Sequence, residues 1–145
     1  MFKTISNIML VDDEKDFVEM LSLRLKENEE NVIVAYNGSE CLESLEKNQV
    51  DVIILDVKMP GMDGIETLKE IKKKDPLIEV IMLTGHGTIQ EAIEGMRLGA
   101  FDFLLKPADF DSLSEKMNNA RQRKKDQMER IRQAEAAMLL KQSGI

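Results

Sequence analysis

"VDVIILDVKMPGMDG" occupies residues 50–64. Four apolar residues, Val52 to Leu55, run into Asp56, and a loop carrying Pro60, Gly61 and Gly64 follows. A strand this apolar suits a parallel sheet covered on both faces. An acid at its end costs stability unless something pairs with it. The rest of the chain supplies the companion strands and the candidate partners.

Four further apolar runs flank this one: "NIMLV" (7–11), "NVIVAY" (31–36), "EVIML" (79–83) and "FDFLL" (101–105). Between them lie helical spacings: Val18, Leu21, Leu25; Leu42, Leu45; Ile65, Leu68, Ile71; and Ile89, Ile93, Met96. Capping patterns mark the helix starts at Asp13-x-x-Asp16, Asn37-x-x-Glu40, Asp63-x-x-Glu66, Thr88-x-x-Glu91 and Ser112-x-x-Glu115. Pro76 stands where the third helix should stop. The alternation predicts an α/β fold, a (βα)5 doubly wound parallel sheet with right-handed crossovers. The last helical pattern opens at Ser112 and runs without Gly or Pro to about Lys141. Leu113, Met117 and Ala120 form its docked face, so we divide the chain into a domain over 1–120 and a helical extension over 121–145.

Composition agrees with one globular domain: 145 residues, 43% hydrophobic and 32% charged. Aromatics are few, and the ten methionines take over part of the core filling. Residues 1–107 carry 12 Lys/Arg against 21 Asp/Glu, whereas residues 108–145 carry 8 against 6. The acidic body argues against direct nucleic-acid binding. The basic "RQRKK" (121–125) reads as a solvated helix face, and "KKK" (72–74) as a solvated helix end favoured by the helix dipole. The single Cys41 excludes an intrachain disulfide and a cysteine-rich zinc site. No apolar run approaches the ~18 residues of a membrane span. The N-terminal stretch lacks a signal-peptide layout, so we expect a cytoplasmic protein with no membrane partner.

In an open parallel sheet, ligands bind beyond the carboxyl ends of the strands. Here those ends carry Asp12-Asp13, Asp56, Thr84 and Lys106-Pro107. A pair of acids exceeds what capping alone requires, and three gathered carboxylates repel one another. A hard divalent cation with few protein ligands, Mg²⁺ rather than Ca²⁺, resolves the conflict. With the Lys106 ammonium and the Thr84 hydroxyl beside it, the rim suits a phosphoryl group, and Asp56 is the candidate nucleophile.

In combination, "LVDDE", "ILDVKMPGMDG", "LTGHG" and "GAFDFLLKP" resemble the receiver domains of bacterial two-component response regulators, over about residues 5–120. The resemblance implies a flavodoxin-like sheet of order 2-1-3-4-5. It implies Asp56 as phosphoacceptor, with a histidine kinase or phosphotransfer protein as donor. Asp13, Asp56 and the main-chain carbonyl of Lys58 would bind Mg²⁺ directly, and Asp12 through a water. Thr84 and Lys106 would contact the phosphoryl oxygens. Thr84 and Phe103 would carry a switch, with Phe103 standing where many members have tyrosine. Lys58 and His86 occupy positions that tune reaction rates, Gly85 leaves room for the phosphoryl group, and the Lys106-Pro107 bond is expected to be cis.

Output would pass through protein contacts, to a downstream partner or to an output domain fused beyond this chain. A homodimer is expected through the face of the fourth helix, fifth strand and fifth helix, or through the C-terminal helix, where Ile131, Ala134 and Met138 continue an interrupted 4-3 spacing. The chief rival is a pseudo-receiver that docks partners independently of phosphorylation. A dehalogenase-type phosphohydrolase would want D-x-D after strand one, and a flavodoxin a hydroxyl-rich loop; "DDE" is neither.

Overall fold

The computed structural model describes residues 6–59, 61–85 and 89–144. Ten elements alternate: β1 (Asn7–Val11), α1 (Lys15–Glu27), β2 (Asn31–Ala35), α2 (Gly38–Lys47), β3 (Val52–Asp56), α3 (Gly64–Lys74), β4 (Glu79–Thr84), α4 (Ile89–Arg97), β5 (Asp102–Leu105) and α5 (Phe110–Gln142). All strand pairs are parallel, in the order β2-β1-β3-β4-β5. The apolar strand that ends in Asp56, β3, is the central one, and every residue of it is buried.

The pleat sorts the sheet into two cores. Met9, Val11, Ile53, Leu55, Val80 and Met82 face one side, with Cys41, Leu68, Ile71 and Ala92 from α2, α3 and α4. Ile8, Leu10, Val52, Ile54, Ile81 and Leu83 face the other, with Val18, Leu21 and Leu25 of α1 and Leu113, Met117 and Ala120 of α5. Helices on both faces explain why the strands are apolar throughout rather than alternating.

Several details depart from expectation. Asn37 and Asp63 cap α2 and α3 by accepting from the N–H groups of Glu40 and Glu66, each at 2.8 Å. At α1, however, the N-cap is Glu14 with no side-chain cap, and Asp13 does not serve. At α5 the cap is Asp109, which places Ser112 inside the first turn, donating its hydroxyl to the Asp109 carboxylate. The Thr88 pattern falls outside the described residues. In α4 the buried face is Ala92 and Gly95, while Ile93 and Met96 point outward. A Cβ on Gly95 would lie 2.2 Å from the Met82 sulfur, so the large Met82 side chain takes the space that the apolar residues of α4 were expected to fill.

Basic residues provide the largest surprise. Lys73 and Lys74 are exposed, but the Lys72 ammonium donates to the Ile78 carbonyl at 2.6 Å and lies 3.6 Å from Glu79. "RQRKK" is not a uniformly solvated face. Arg121 makes a bidentate pair with Glu30, both bonds 2.9 Å. Arg123 grips Glu79, which is 4% exposed, and stacks its guanidinium on Phe101. Lys124 reaches Asp51 at 2.6 Å. These pairs fasten α5 to the amino-terminal edge of the sheet, opposite the Asp56 rim. Beyond them α5 projects with Met128, Ile131, Met138, Leu139 and Leu140 exposed. Among the described residues, no helix is long and apolar enough to cross a membrane.

Candidate functional site

Strand register brings the rim residues together. Val11 lies opposite Leu55, so Asp12 follows beside Asp56 on the neighbouring strand. Asp56 lies opposite Leu83, and Thr84 opposite Leu105, so β1, β3 and β4 each deliver a polar residue one step beyond an apolar pair, and Lys106 follows the Thr84–Leu105 pair. The ladder extends past the strand ends, where Asp12 N–H donates to Ala35 O at 3.2 Å and Lys106 N–H to Thr84 O at 2.7 Å.

Asp12, Asp56 and Thr84 are buried, whereas Asp13 is exposed at the lip. One carboxylate oxygen from each of Asp12, Asp13 and Asp56 lies within 4.8 Å of the others. The Lys106 ammonium donates to Asp12 Oδ2 at 2.8 Å and stands 3.7 Å from Asp56 Oδ1 and 3.5 Å from Glu14 Oε1. Lys58 N–H donates to Asp56 Oδ1 at 3.4 Å, and the Thr84 hydroxyl donates to the Gly85 carbonyl at 3.0 Å. The Lys106-Pro107 peptide is cis, as expected. Phe103 is half-buried against the core that contains Met82 and Ala92. His86 lies outside the described residues.

Electrostatics set Asp56 apart. Burial, reinforced by the Asp12 charge, pushes its carboxyl up to about 7, with Lys106 and the Lys58 N–H pulling the other way. Lys106 loses hydration, yet its bond to Asp12 and the charges of Asp12, Asp56 and Glu14 outweigh that loss and raise it above the usual lysine range. One ammonium therefore does not fully compensate two buried acids, and the acid at the end of β3 keeps its proton to higher pH than an ordinary carboxyl. Three converging carboxylates are a hard-oxygen donor set, and a divalent cation there would lower the carboxyl again.

Two neighbours were missed in the sequence. Glu14, which the sequence reading gave no role, faces Lys106. Phe17 places its ring centroid 4.9 Å from the Lys106 ammonium. The available signal was its spacing, four residues after Asp13, which puts it one helical turn along on the same side.

A family model described as the response regulator receiver domain matches residues 8–118, and this chain belongs to that family. Among curated relatives, it is 38% identical over 114 residues to the transcriptional regulatory protein ZraR of Salmonella typhimurium, covering 79% of this chain and 26% of that protein. It is also 38% identical over 115 residues to the transcriptional regulatory protein GlrR of Escherichia coli, again 79% of this chain and 26% of the relative. The chain thus spans about a quarter of the length of these curated relatives. A solved receiver domain from Clostridium thermocellum superposes with a TM-score of 0.80 at 39% identity, over 83% of this chain and 97% of that one. NtrX of Brucella abortus, solved in complex with ADP, superposes with a TM-score of 0.82 at 30% identity, over 87% of this chain and 29% of NtrX.

Proposed function

We propose that this chain accepts a phosphoryl group on Asp56 from a histidine kinase or phosphotransfer protein and signals through the resulting change of shape. The observation that carries the reading is the Lys106 ammonium, 2.8 Å from Asp12 and 3.7 Å from Asp56 at the carboxyl edge of the central strand. An oxygen of the ionised Asp56 carboxylate attacks phosphorus as the bond from phosphorus to the donor's histidine nitrogen breaks. The nitrogen keeps the electron pair, and the product is an acyl phosphate. Water later attacks it, restoring the carboxylate and releasing phosphate. Lys106 offsets the charge on the phosphoryl oxygens, and the Thr84 hydroxyl leaves the Gly85 carbonyl to donate to one of them. Asp12, Asp13, Asp56 and the Lys58 carbonyl suit Mg²⁺, which when bound supplies positive charge that keeps Asp56 ionised and neutralises the incoming group.

The output follows from what Thr84 and Phe103 touch. Movement of Thr84 at the end of β4, together with repacking of Phe103 on β5, biases the face built from α4, β5 and α5 between two arrangements. That face already presents Ile93, Met96 and Leu105 to solvent. We assign it, or the projecting part of α5, to a downstream protein, a fused output domain or a second copy of the chain. The receiver proper ends near residue 120, and the remainder is a helical extension. The setting is the cytoplasm.

The test is intact mass after incubation with acetyl phosphate. One added phosphoryl group, dependent on Mg²⁺ and absent from Asp56→Asn, supports the reading. A chain that takes none and also fails to bind beryllofluoride is a docking module independent of phosphorylation.

A further inference from the structure

Around the Lys106 ammonium stand three carboxylates, on Asp12, Asp56 and Glu14, at 2.8, 3.7 and 3.5 Å. The Phe17 ring lies 4.9 Å away. A cation within ~6 Å of a ring centroid is attracted by the quadrupole of the ring face. That attraction is electrostatic and needs at most one of the three N–H groups, so the ammonium can meet the ring and still donate to oxygen acceptors. Phe17 is itself fixed: it is half-buried on α1 and packs against the core layer containing Val18, Leu21 and Leu113. Glu14, by contrast, is exposed, so its carboxylate competes weakly for the ammonium in water.

We propose that Phe17 is a positioning residue for phosphoryl transfer, its ring seating the Lys106 ammonium against Asp12 and Asp56 so that a phosphoryl group arriving on Asp56 meets a cation already in place. The inference rests on the reading of Asp56 as phosphoacceptor. It assigns to an aromatic side chain on α1 a part in the chemistry performed at the ends of β1, β3 and β5. Without the ring, the ammonium is free to move toward Glu14 and solvent, and fewer encounters with the donor find it correctly placed.

The test compares the natural chain with Phe17→Leu, Phe17→Met, Phe17→Tyr and Phe17→Trp, using acetyl phosphate in Mg²⁺ and varying its concentration. Leu and Met keep an apolar side chain but lose the ring; Tyr and Trp keep the ring. The expected result is a maximal phosphorylation rate lowered about threefold to tenfold in Leu and Met, with the half-saturating concentration little changed. Tyr and Trp should stay within about twofold of the natural chain. Melting temperatures of all five identify any variant slowed merely by loss of structure. An independent readout is the NMR shift of the Lys106 side-chain methylene protons, which the ring current displaces in the ring-bearing proteins and not in Leu or Met. The inference is overturned if Leu reacts at the natural rate, if Tyr and Trp are as slow as Leu, or if the methylene shift is the same in all. If the natural chain takes no phosphoryl group at all, the Asp56 reading fails and this inference falls with it.

Discussion

Lys106 and Asp12 are 94 residues apart in sequence, yet their charged ends meet at 2.8 Å. The contact exists because β1, β3, β4 and β5 lie side by side and in register, β1 and β5 ending one residue before Asp12 and Lys106 and β3 and β4 ending on Asp56 and Thr84. Lys106→Met removes the ammonium and leaves Asp12 and Asp56 buried with each other. Stability without Mg²⁺ should fall by about 1–3 kcal/mol. Added Mg²⁺ should recover much of the loss by pairing the same acids. Urea denaturation with and without the ion measures both effects.

Asp56 gives the opposite sign. Its carboxyl titrates near 7 in the folded protein, against 3.8 as the ordinary value. Between those pH values the folded chain holds a proton that the unfolded chain has released. Stability therefore falls as pH rises from about 4 to about 7. Asp56→Asn abolishes this dependence. Without divalent ions the variant should exceed the natural chain by on the order of 4 kcal/mol above pH 7, the gap closing toward pH 4. Denaturation midpoints across that range, in chelator, supply the check.

Gly64 positions the site from beneath. A Cβ there would sit 2.6 Å from the Asp56 carbonyl oxygen and 2.6 Å from the Val57 Cα, both backbone atoms that cannot swing aside. The Gly64 N–H donates to the Val57 carbonyl at 2.9 Å, so α3 starts directly against the end of β3. Gly64→Ala should cost about 1–3 kcal/mol and slow phosphorylation by moving the Asp56 backbone. Equilibrium unfolding and intact-mass kinetics on the same sample test the pair of effects.

At the opposite edge, the ion pairs of α5 predict where the fold can be cut. A chain ending at Ala120 lacks Arg121, Arg123 and Lys124, leaving the buried Glu79 with Lys72 as its remaining cation among the described residues. It should be less stable than one ending at Lys125 by about 1–3 kcal/mol. Glu79→Gln should narrow that difference, because it removes the charge that the truncation strands. Thermal melts of the four proteins decide the matter.

Much of this was legible in the sequence for reasons that can be named. Strands buried on both faces announce themselves by composition alone, and β1 falls on residues 7–11 as expected. The rim residues were legible because each one directly follows such a run. What sequence could not show was pairing across distance. "RQRKK" looks the same whether solvated or clamped to Glu30, Glu79 and Asp51, and only the fold brings those acids to the helix. The inner face of α4 was misread because helical spacing finds apolar stripes, whereas this helix packs through Ala92 and Gly95 and turns Ile93 and Met96 outward. Capping was misplaced at α1 because Asp12 and Asp13 belong to the rim. Asp12 accepts the Glu14 N–H at 3.0 Å and the Lys106 ammonium at once.

The central claim is that Asp56 becomes the acyl phosphate, and chemical trapping tests it most directly. Borohydride reduces an acyl phosphate to the alcohol, so the acid that carried it becomes homoserine. After acetyl phosphate and Mg²⁺, followed by borohydride, peptide mass spectrometry should find homoserine at position 56 in place of Asp, and none at 12 or 13. Homoserine at Asp12 or Asp13, or at no acid of the rim, would contradict the account.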